Sequence, residues 1–178
     1  MSLVIILLGI IPSSKVWAAS ISFSPQNSIV SVGDSFSVDI IANDFAELAG
    51  GVLGFRFDSS LLSLDIPPGI DPFWDFFPDP GSQDLLDTNI WRGVGFDVFA
   101  NAPLTGSGAI ASLNFTALSI GASQLEILPD SMFFSSIAEL NPELTMGSVQ
   151  VVPVPPALIL FVTGLIGLTQ IMRVNHKQ

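Results

Sequence analysis

The sequence contains no cysteine and a single histidine, His176, close to its C-terminus. Without cysteine the chain can form no disulfide and offers no thiolate to a metal ion, so its core depends on hydrophobic packing alone. A Ser-His catalytic pair is excluded between residues 19 and 152, because that stretch has no histidine. Paired carboxylates that act on polysaccharide remain a distant alternative, since among 16 acidic residues some pair falls at a suitable distance by chance. We therefore expect no enzymatic activity.

Basic residues are also scarce. Between residues 19 and 152 only Arg56 and Arg92 are basic, against all 16 acidic residues, which leaves 14 net negative charges. Nucleic acid is excluded as a partner, because binding a phosphate backbone requires a basic surface. Anionic lipid surfaces are disfavoured for the same reason. A domain this acidic attracts divalent cations and favours neutral or basic partners.

Long apolar runs occur only at the two termini. Leu3 to Ile11 is too short to span a bilayer and precedes Val16-Trp17-Ala18, whose small-residue spacing predicts a cleavage site, so residues 1–18 read as a signal peptide. Near the other end, residues 155–172 predict a helix of roughly 27 Å, close to the roughly 30 Å of a hydrocarbon core. Arg173 and Lys177 then mark a cytoplasmic end. The alternative is a buried helix that closes the domain, but such helices normally carry a polar face.

The C-terminal segment, 153–178, combines a short proline motif, one apolar helix and a basic end. In this order these features resemble the PEP-CTERM sorting signal of surface proteins from Gram-negative bacteria that make extracellular polysaccharide. The resemblance implies that an exosortase, a membrane peptidase, cuts near the motif. The chain would then be anchored transiently in the inner membrane before it reaches the cell surface or extracellular matrix. The residues that carry the motif and its basic end are Pro153, Val154, Pro155, Pro156 and Arg173.

Between the termini, residues 19–152 have the length of one domain. Apolar residues alternate with polar ones at a period of two, and turn residues such as Gly33-Asp34 and Gly106-Ser107-Gly108 separate the runs. This pattern predicts many short strands and an all-β antiparallel sandwich or barrel. A short helical turn is expected around 133–140. The predicted inward-facing positions include Phe36, Val38, Ile40, Leu53, Phe55, Phe57, Leu62, Leu64, Val94, Phe96, Ala111, Leu113, Phe115, Leu125, Ile127, Val149 and Val151.

Three segments of this domain resemble cohesin modules. They are residues 30–40 (VSVGDSFSVDI), 51–61 (GVLGFRFDSSL) and 108–115 (GAIASLNF). The resemblance implies an antiparallel jelly-roll β-sandwich, related in shape to carbohydrate-binding modules, and a non-catalytic binding role. In cellulosomes cohesins bind dockerins; here the expected ligand is polysaccharide or another exported protein. A structural matrix component without a specific ligand is the alternative.

The stretch 67–87 is the least strand-like part of the domain, and long loops in compact domains are often functional. Its aromatic residues could stack on sugar rings or contact a protein partner; alternatively, Trp74 and two phenylalanines plug one end of the sandwich. The carboxylates of Asp71, Asp75 and Asp79 could bind calcium, although solvated surface charge is the simpler account. No other cofactor is expected. The candidate ligand-binding residues are Phe73, Trp74, Phe76, Phe77 and Trp91.

Overall fold

Alternating apolar residues form strands throughout the part of the chain that the computed structural model describes, which is residues 18–65, 68–74, 80–98 and 101–154. Every regular element in these ranges is a strand, as the period of two predicts. The strands are β1 (Ser20–Ser24), β2 (Asn27–Ser31), β3 (Ser35–Leu48), β4 (Gly50–Arg56), β5 (Leu62–Leu64), β6 (Gly69–Ile70), β7 (Pro80–Gln83), β8 (Ile90–Asp97), β9 (Leu104–Ala117), β10 (Gly121–Ile127), β11 (Met132–Phe134), β12 (Glu139–Leu140), β13 (Glu143–Leu144) and β14 (Gly147–Val152).

The strands form two sheets. The smaller sheet has the order β13-β1-β3-β9-β5, and β6 also pairs with β9. The larger sheet has the order β12-β11-β4-β10-β14-β2, with β8 paired to β4 and β7 paired to β8. Most pairs are antiparallel, as expected, but β1 with β13 and β2 with β14 are parallel. The predicted antiparallel pairing thus holds except at these two pairs, each of which joins strands far apart in the sequence.

The core lies between the two sheets and contains the residues that the alternation places inward. Val38 and Ile40 of β3 are buried, as are their register partners on β9, Leu113 and Ala111. Burying a large apolar side chain stabilises the fold by about 1.5–3 kcal/mol, so this alternation supplies the main driving force. The larger sheet contributes Leu53, Phe55, Val94, Phe96, Leu125, Ile127, Phe133, Val149 and Val151 to the same cluster.

The helical turn expected around 133–140 is wrong. Met132–Phe134 pairs with β4, and Phe133 pairs with Leu140 across a hairpin closed by the Ser135 N–H donating to the Ala138 carbonyl at 2.8 Å. Phe133, which pairs with Gly51 of β4, is buried in the core. The stretch 67–87 is likewise not all loop, because β6 pairs with β9 and β7 pairs with β8.

Several terminal predictions concern residues that the structure does not describe. The signal peptide, apart from Ala18, and the segment 155–178 with its apolar helix lie outside the described residues. Within the described ranges, no helix has the length and apolar character needed to cross a bilayer. Pro153 and Val154 are described and are exposed directly after β14.

Candidate functional site

Trp74 follows β6 and points into the core rather than outward. Its side chain is 1% exposed, and its indole N–H donates to the Ala109 carbonyl at 2.9 Å. The ring packs edge-on against Phe73 and Phe96, with centroid separations of 5.0 and 4.8 Å. Trp74 therefore closes one part of the sandwich, as the alternative interpretation held, and it offers no free ring face to a sugar.

Trp91 is also in the core. It is 3% exposed, and it lines a shallow cavity of about 180 Å³ together with Phe57 and Leu64. Typical ligand pockets enclose roughly 300–1,000 Å³, so this cavity is too small for one sugar ring together with the adjoining sugars of a polysaccharide. The aromatic platform predicted from Trp74 and Trp91 is therefore not formed by these two residues, because their rings are used in packing. Phe73 is partly buried against Trp74, and Phe76 and Phe77 lie outside the described residues.

Asp71, the first of the three candidate calcium ligands, has a structural role. Its side-chain oxygen accepts the Phe73 N–H at 2.9 Å, and its carbonyl accepts the Trp74 N–H at 3.0 Å. The carboxylate thereby fixes the turn that directs Trp74 into the core. Asp75 and Asp79 lie outside the described residues, and the described part of the chain contains no group of three acidic or histidine side chains arranged to hold a metal ion. Calcium binding stays a prediction.

An exposed apolar surface lies on the side of the larger sheet that faces away from the core. Val52 of β4 is 37% exposed, and its register partner on β11, Met132, is 44% exposed. Phe134, two residues further along β11, is 36% exposed, while Phe133 between them is buried. The period of two thus divides each strand between the core and this surface.

The same surface carries the two basic residues of the domain. Arg92 on β8 donates to Asp130 through Nη1 and to Asp84 through Nε, the latter at 3.3 Å. Arg56 at the end of β4 lies 3.8 Å from Asp87. Because of its hydrogen bond to Asp130, the pKa of Arg92 is raised above its ordinary value, and the guanidinium is fully charged. We call Val52, Met132, Phe134, Arg56 and Arg92 the outer face.

Glycines in β4 allow the close approach of the two strands beside it, β11 and β8. A Cβ at Gly51 would lie 2.5 Å from the Met132 carbonyl oxygen and 2.8 Å from the Phe96 ring. A Cβ at Gly50 would lie 2.7 Å from the Phe96 carbonyl oxygen. Contacts under 3 Å cannot be accommodated without moving the backbone, so the close approach of the strands requires glycine at both positions.

Sequence reasoning did not identify the outer face. The alternation of apolar and polar residues already placed Arg56 on the other side of the strand from Leu53 and Phe55. Extending that alternation to Val52 would have identified the first apolar residue of the outer face. The helical turn predicted around 133–140 concealed the strand position of Phe134, and Met132, just outside that range, belonged to no predicted strand. The pairing of β11 with β4, which creates the surface, joins residues about 80 positions apart and leaves no local signal.

No protein-family model matches the sequence, and no curated protein matches it. Solved structures do. The cohesin module of a family 33 glycoside hydrolase from Clostridium perfringens superposes with a TM-score of 0.64 at 11% identity, covering 77% of this chain and 98% of that one. The sixth cohesin of scaffoldin B from Acetivibrio cellulolyticus, solved in complex with a dockerin, gives a TM-score of 0.61 at 13% identity, covering 76% and 100%.

A third similar structure is a type I cohesin–dockerin complex from Clostridium thermocellum, with a TM-score of 0.63 at 13% identity, covering 78% of this chain and 96% of that one. This chain has a cohesin-like fold. The jelly-roll sandwich expected from residues 30–40, 51–61 and 108–115 is thus confirmed. At 11–13% identity the likeness establishes the architecture and leaves the binding surface to be argued from the residues of this chain.

Proposed function

We propose that residues 19–152 form a non-catalytic, cohesin-like module that binds another exported protein through the outer face. The observation that carries this proposal is the exposure of Val52, Met132 and Phe134 on the paired strands β4 and β11. Arg56 lies on β4 as well, and Arg92 lies on β8, which pairs with β4. Apolar and arginine side chains together are characteristic of protein–protein interfaces, whose centres are enriched in aromatic residues, Met and Arg. The similar structures from A. cellulolyticus and C. thermocellum support a dockerin-like module as the partner.

A protein partner fits this surface better than a polysaccharide does. Sugar recognition relies on exposed aromatic faces, and Trp74 and Trp91 are buried. The outer face has a single aromatic ring, Phe134, beside the aliphatic Val52 and the thioether of Met132. On such a mixed apolar sheet surface, shape complementarity to another folded surface can exclude water. Arg56 and Arg92, each held by carboxylates on an otherwise acidic domain, orient the partner on the outer face. Charge pairs at an interface determine how the two proteins align more than they increase affinity.

Export and sorting are part of the same proposal. The apolar run Leu3–Ile11 supports a signal peptide, and the order of proline motif, apolar run and Arg173 supports processing by an exosortase in a Gram-negative bacterium. Exposure of Pro153 and Val154 directly after β14 is compatible with access by a peptidase. The module would then reside at the cell surface or in the extracellular matrix, where its partner is also exported.

Titration of the full-length chain tests the binding proposal. The chain is immobilised in mild detergent, and dockerin-like modules from exported proteins of the same organism are produced singly and titrated against it. Replacing Met132 with aspartate in the centre of the outer face should weaken a bound module about 30-fold or more, the effect of losing about 2 kcal/mol at an interface hot spot. Ile29→Asp is the matched control: Ile29 is 77% exposed on the edge strand β2, away from the outer face, and its replacement should leave affinity unchanged.

The proposal fails if no such module binds, or if Met132→Asp and Ile29→Asp bind it equally well. Turnover of a polysaccharide by the purified chain would contradict the non-catalytic assignment directly. Sorting is tested separately, by whether deletion of Pro153–Pro156 leaves the chain uncleaved in cells that contain an exosortase.

A further inference from the structure

One end of the sandwich gathers four turns around the point where β14 finishes. These are residues 32–34, 57–61, 84–89 and 118–120, and together with Val152 and Val154 we call them the exit end. Hydrogen bonds join the turns to one another. Leu118 N–H donates to the Leu61 carbonyl at 2.7 Å, and Ser59 N–H donates to Asn89 Oδ1 at 2.9 Å.

Further bonds connect the exit end to the last strand. Gly33 N–H donates to the Ala117 carbonyl at 2.8 Å, and Val32 N–H donates to the Val152 carbonyl at 3.1 Å. The turns and the end of β14 are therefore fixed relative to one another and present a single surface.

That surface carries exposed apolar side chains. Leu85 and Leu86 are each 98% exposed, Ile120 is 59% exposed and Leu118 is 49% exposed. Two adjacent leucines this exposed are unusual here, because every other described leucine except Leu118 is buried or packs against the core. Exposed apolar groups gathered in one place mark an interaction surface.

The leucine pair is held in place by its own loop. Asp84 Oδ1 accepts the Leu86 N–H at 2.8 Å, and the Asp84 N–H donates to the Ile90 carbonyl at 2.8 Å. Gln83 Nε2 donates to the Thr88 carbonyl at 2.6 Å. A loop with this many internal hydrogen bonds presents Leu85 and Leu86 in a fixed position, so a partner surface does not need to order them on contact.

The sequence after the exit end indicates what this surface faces. Only residues 153–156 separate the end of β14 from the apolar run Ala157–Met172. Fully extended, the step from Val152 to Ala157 spans at most about 17 Å. If the run enters a bilayer, as the anchoring part of the proposed function requires, this tether keeps the end of β14 within about 17 Å of the lipid surface.

We propose that the exit end is a lipid-contact surface, in which Leu85, Leu86 and Ile120 insert among the headgroups of the membrane that holds the apolar run. Apolar side chains at the interface of a bilayer gain from leaving water without spanning it. This inference rests on the proposed anchoring, but it is independent of the partner bound by the outer face.

The charges of the exit end specify the lipid. Asp34, Asp58, Asp84 and Asp87 lie in or beside its turns, while the basic groups that reach them are Arg92, paired with Asp84, and Arg56, near Asp87. The net charge at this end is negative, so anionic headgroups would repel it. The surface therefore fits neutral, zwitterionic headgroups.

The absence of cysteine makes the test direct, because a single introduced cysteine carries the only label. Full-length Leu86→Cys and Ile120→Cys are labelled with an environment-sensitive fluorophore and reconstituted in phosphatidylcholine vesicles at low protein density. Ile137→Cys is the matched control: Ile137 is 92% exposed in the β11–β12 turn, whose Ser136 bonds Glu47 at the other end of the sandwich. We expect a blue shift and quenching by lipid-borne nitroxides at 86 and 120, neither at 137, and a smaller shift in phosphatidylglycerol vesicles.

Flotation of the vesicles separates the two claims. A chain that does not float would overturn the anchoring and this inference together. A chain that floats but whose labels at 86 and 120 stay as aqueous as the label at 137 would overturn the lipid contact alone. A blue shift that grows with protein density and resists lipid-borne quenchers would show that a second copy or another protein covers the exit end instead.

Discussion

Replacing Trp74 with alanine separates a core residue from a binding platform. The substitution removes a ring that is 1% exposed and packs against Phe73 and Phe96. Truncating a buried Trp costs about 3–5 kcal/mol, which includes the cavity it leaves. The lost hydrogen bond to the Ala109 carbonyl adds about 1 kcal/mol. A domain of this size has a total stability of about 5–15 kcal/mol, so the variant should lose a large fraction of it.

The loss is measurable as a melting temperature. For 134 residues, a change of 1 kcal/mol shifts the melting temperature by roughly 3–4 °C, so Trp74→Ala should melt about 12–24 °C below the parent. Trp74→Phe, which keeps a ring but loses the indole N–H, should cost only about 1–2 kcal/mol. The assay is thermal unfolding of the full chain in mild detergent, followed by the far-ultraviolet circular dichroism of the sheets. Ile137→Ala serves as the control, because exposed substitutions usually change stability by less than about 0.5 kcal/mol.

A Trp74→Ala chain that melts within about 2 °C of the parent, like an exposed-site variant, would refute the assignment of Trp74 to the core. If that stable variant also lost binding to a polysaccharide, the aromatic-platform hypothesis would be restored.

Two further predictions follow from local geometry. Gly81→Ala should destabilise the domain by about 2 kcal/mol or more, because Gly81 has φ of +80° and a Cβ there would lie 2.5 Å from Trp91 Nε1. Gly33→Ala is the control. Gly33 has φ of +90° but no atom within 4 Å of an added Cβ, so this substitution should cost only about 1 kcal/mol in the same melt. The backbone N–H of Leu86 lowers the pKa of Asp84, so its contribution to stability is present above the ordinary carboxyl value of about 3.9 and is lost as the pH falls through the lower folded pKa. Melting temperatures from pH 6 to 2 should therefore decline more steeply for the parent than for Asp84→Asn, and equal slopes would contradict the assignment.

The sequence was sufficient for the parts of the fold that depend on local alternation. Val38 and Ile40 are buried because β3 presents every second residue to the core, and that period is visible without a structure. The parallel pairing of β2 with β14 joins Ser31 to Val152 across the whole domain, and no local pattern reports such a contact.

The site was harder to predict because it depends on contacts between distant segments. In the sequence, the aromatic residues around Trp74 are equally typical of an exposed binding platform and of side chains that close one end of the sandwich. The structure decides between them, because the turn fixed by Asp71 directs the Trp74 ring into the core. Met132 and Phe134 lie beside β4 because Gly51 leaves room for the Met132 carbonyl of β11. The signal peptide and the C-terminal segment 153–178, by contrast, were interpreted from composition and the order of residues alone. Both stay predictions.

Hydroxyl-radical footprinting of the full chain, with and without a bound dockerin-like module, tests most directly whether the outer face is the binding surface. The domain contains its own reference: Met132 on the outer face is 44% exposed, and Met146, between β13 and β14, is 56% exposed. Binding should slow oxidation of Met132 and leave oxidation of Met146 unchanged. Protection of Met146 with Met132 oxidised as fast as in the free chain would contradict the assignment of the outer face as the binding surface.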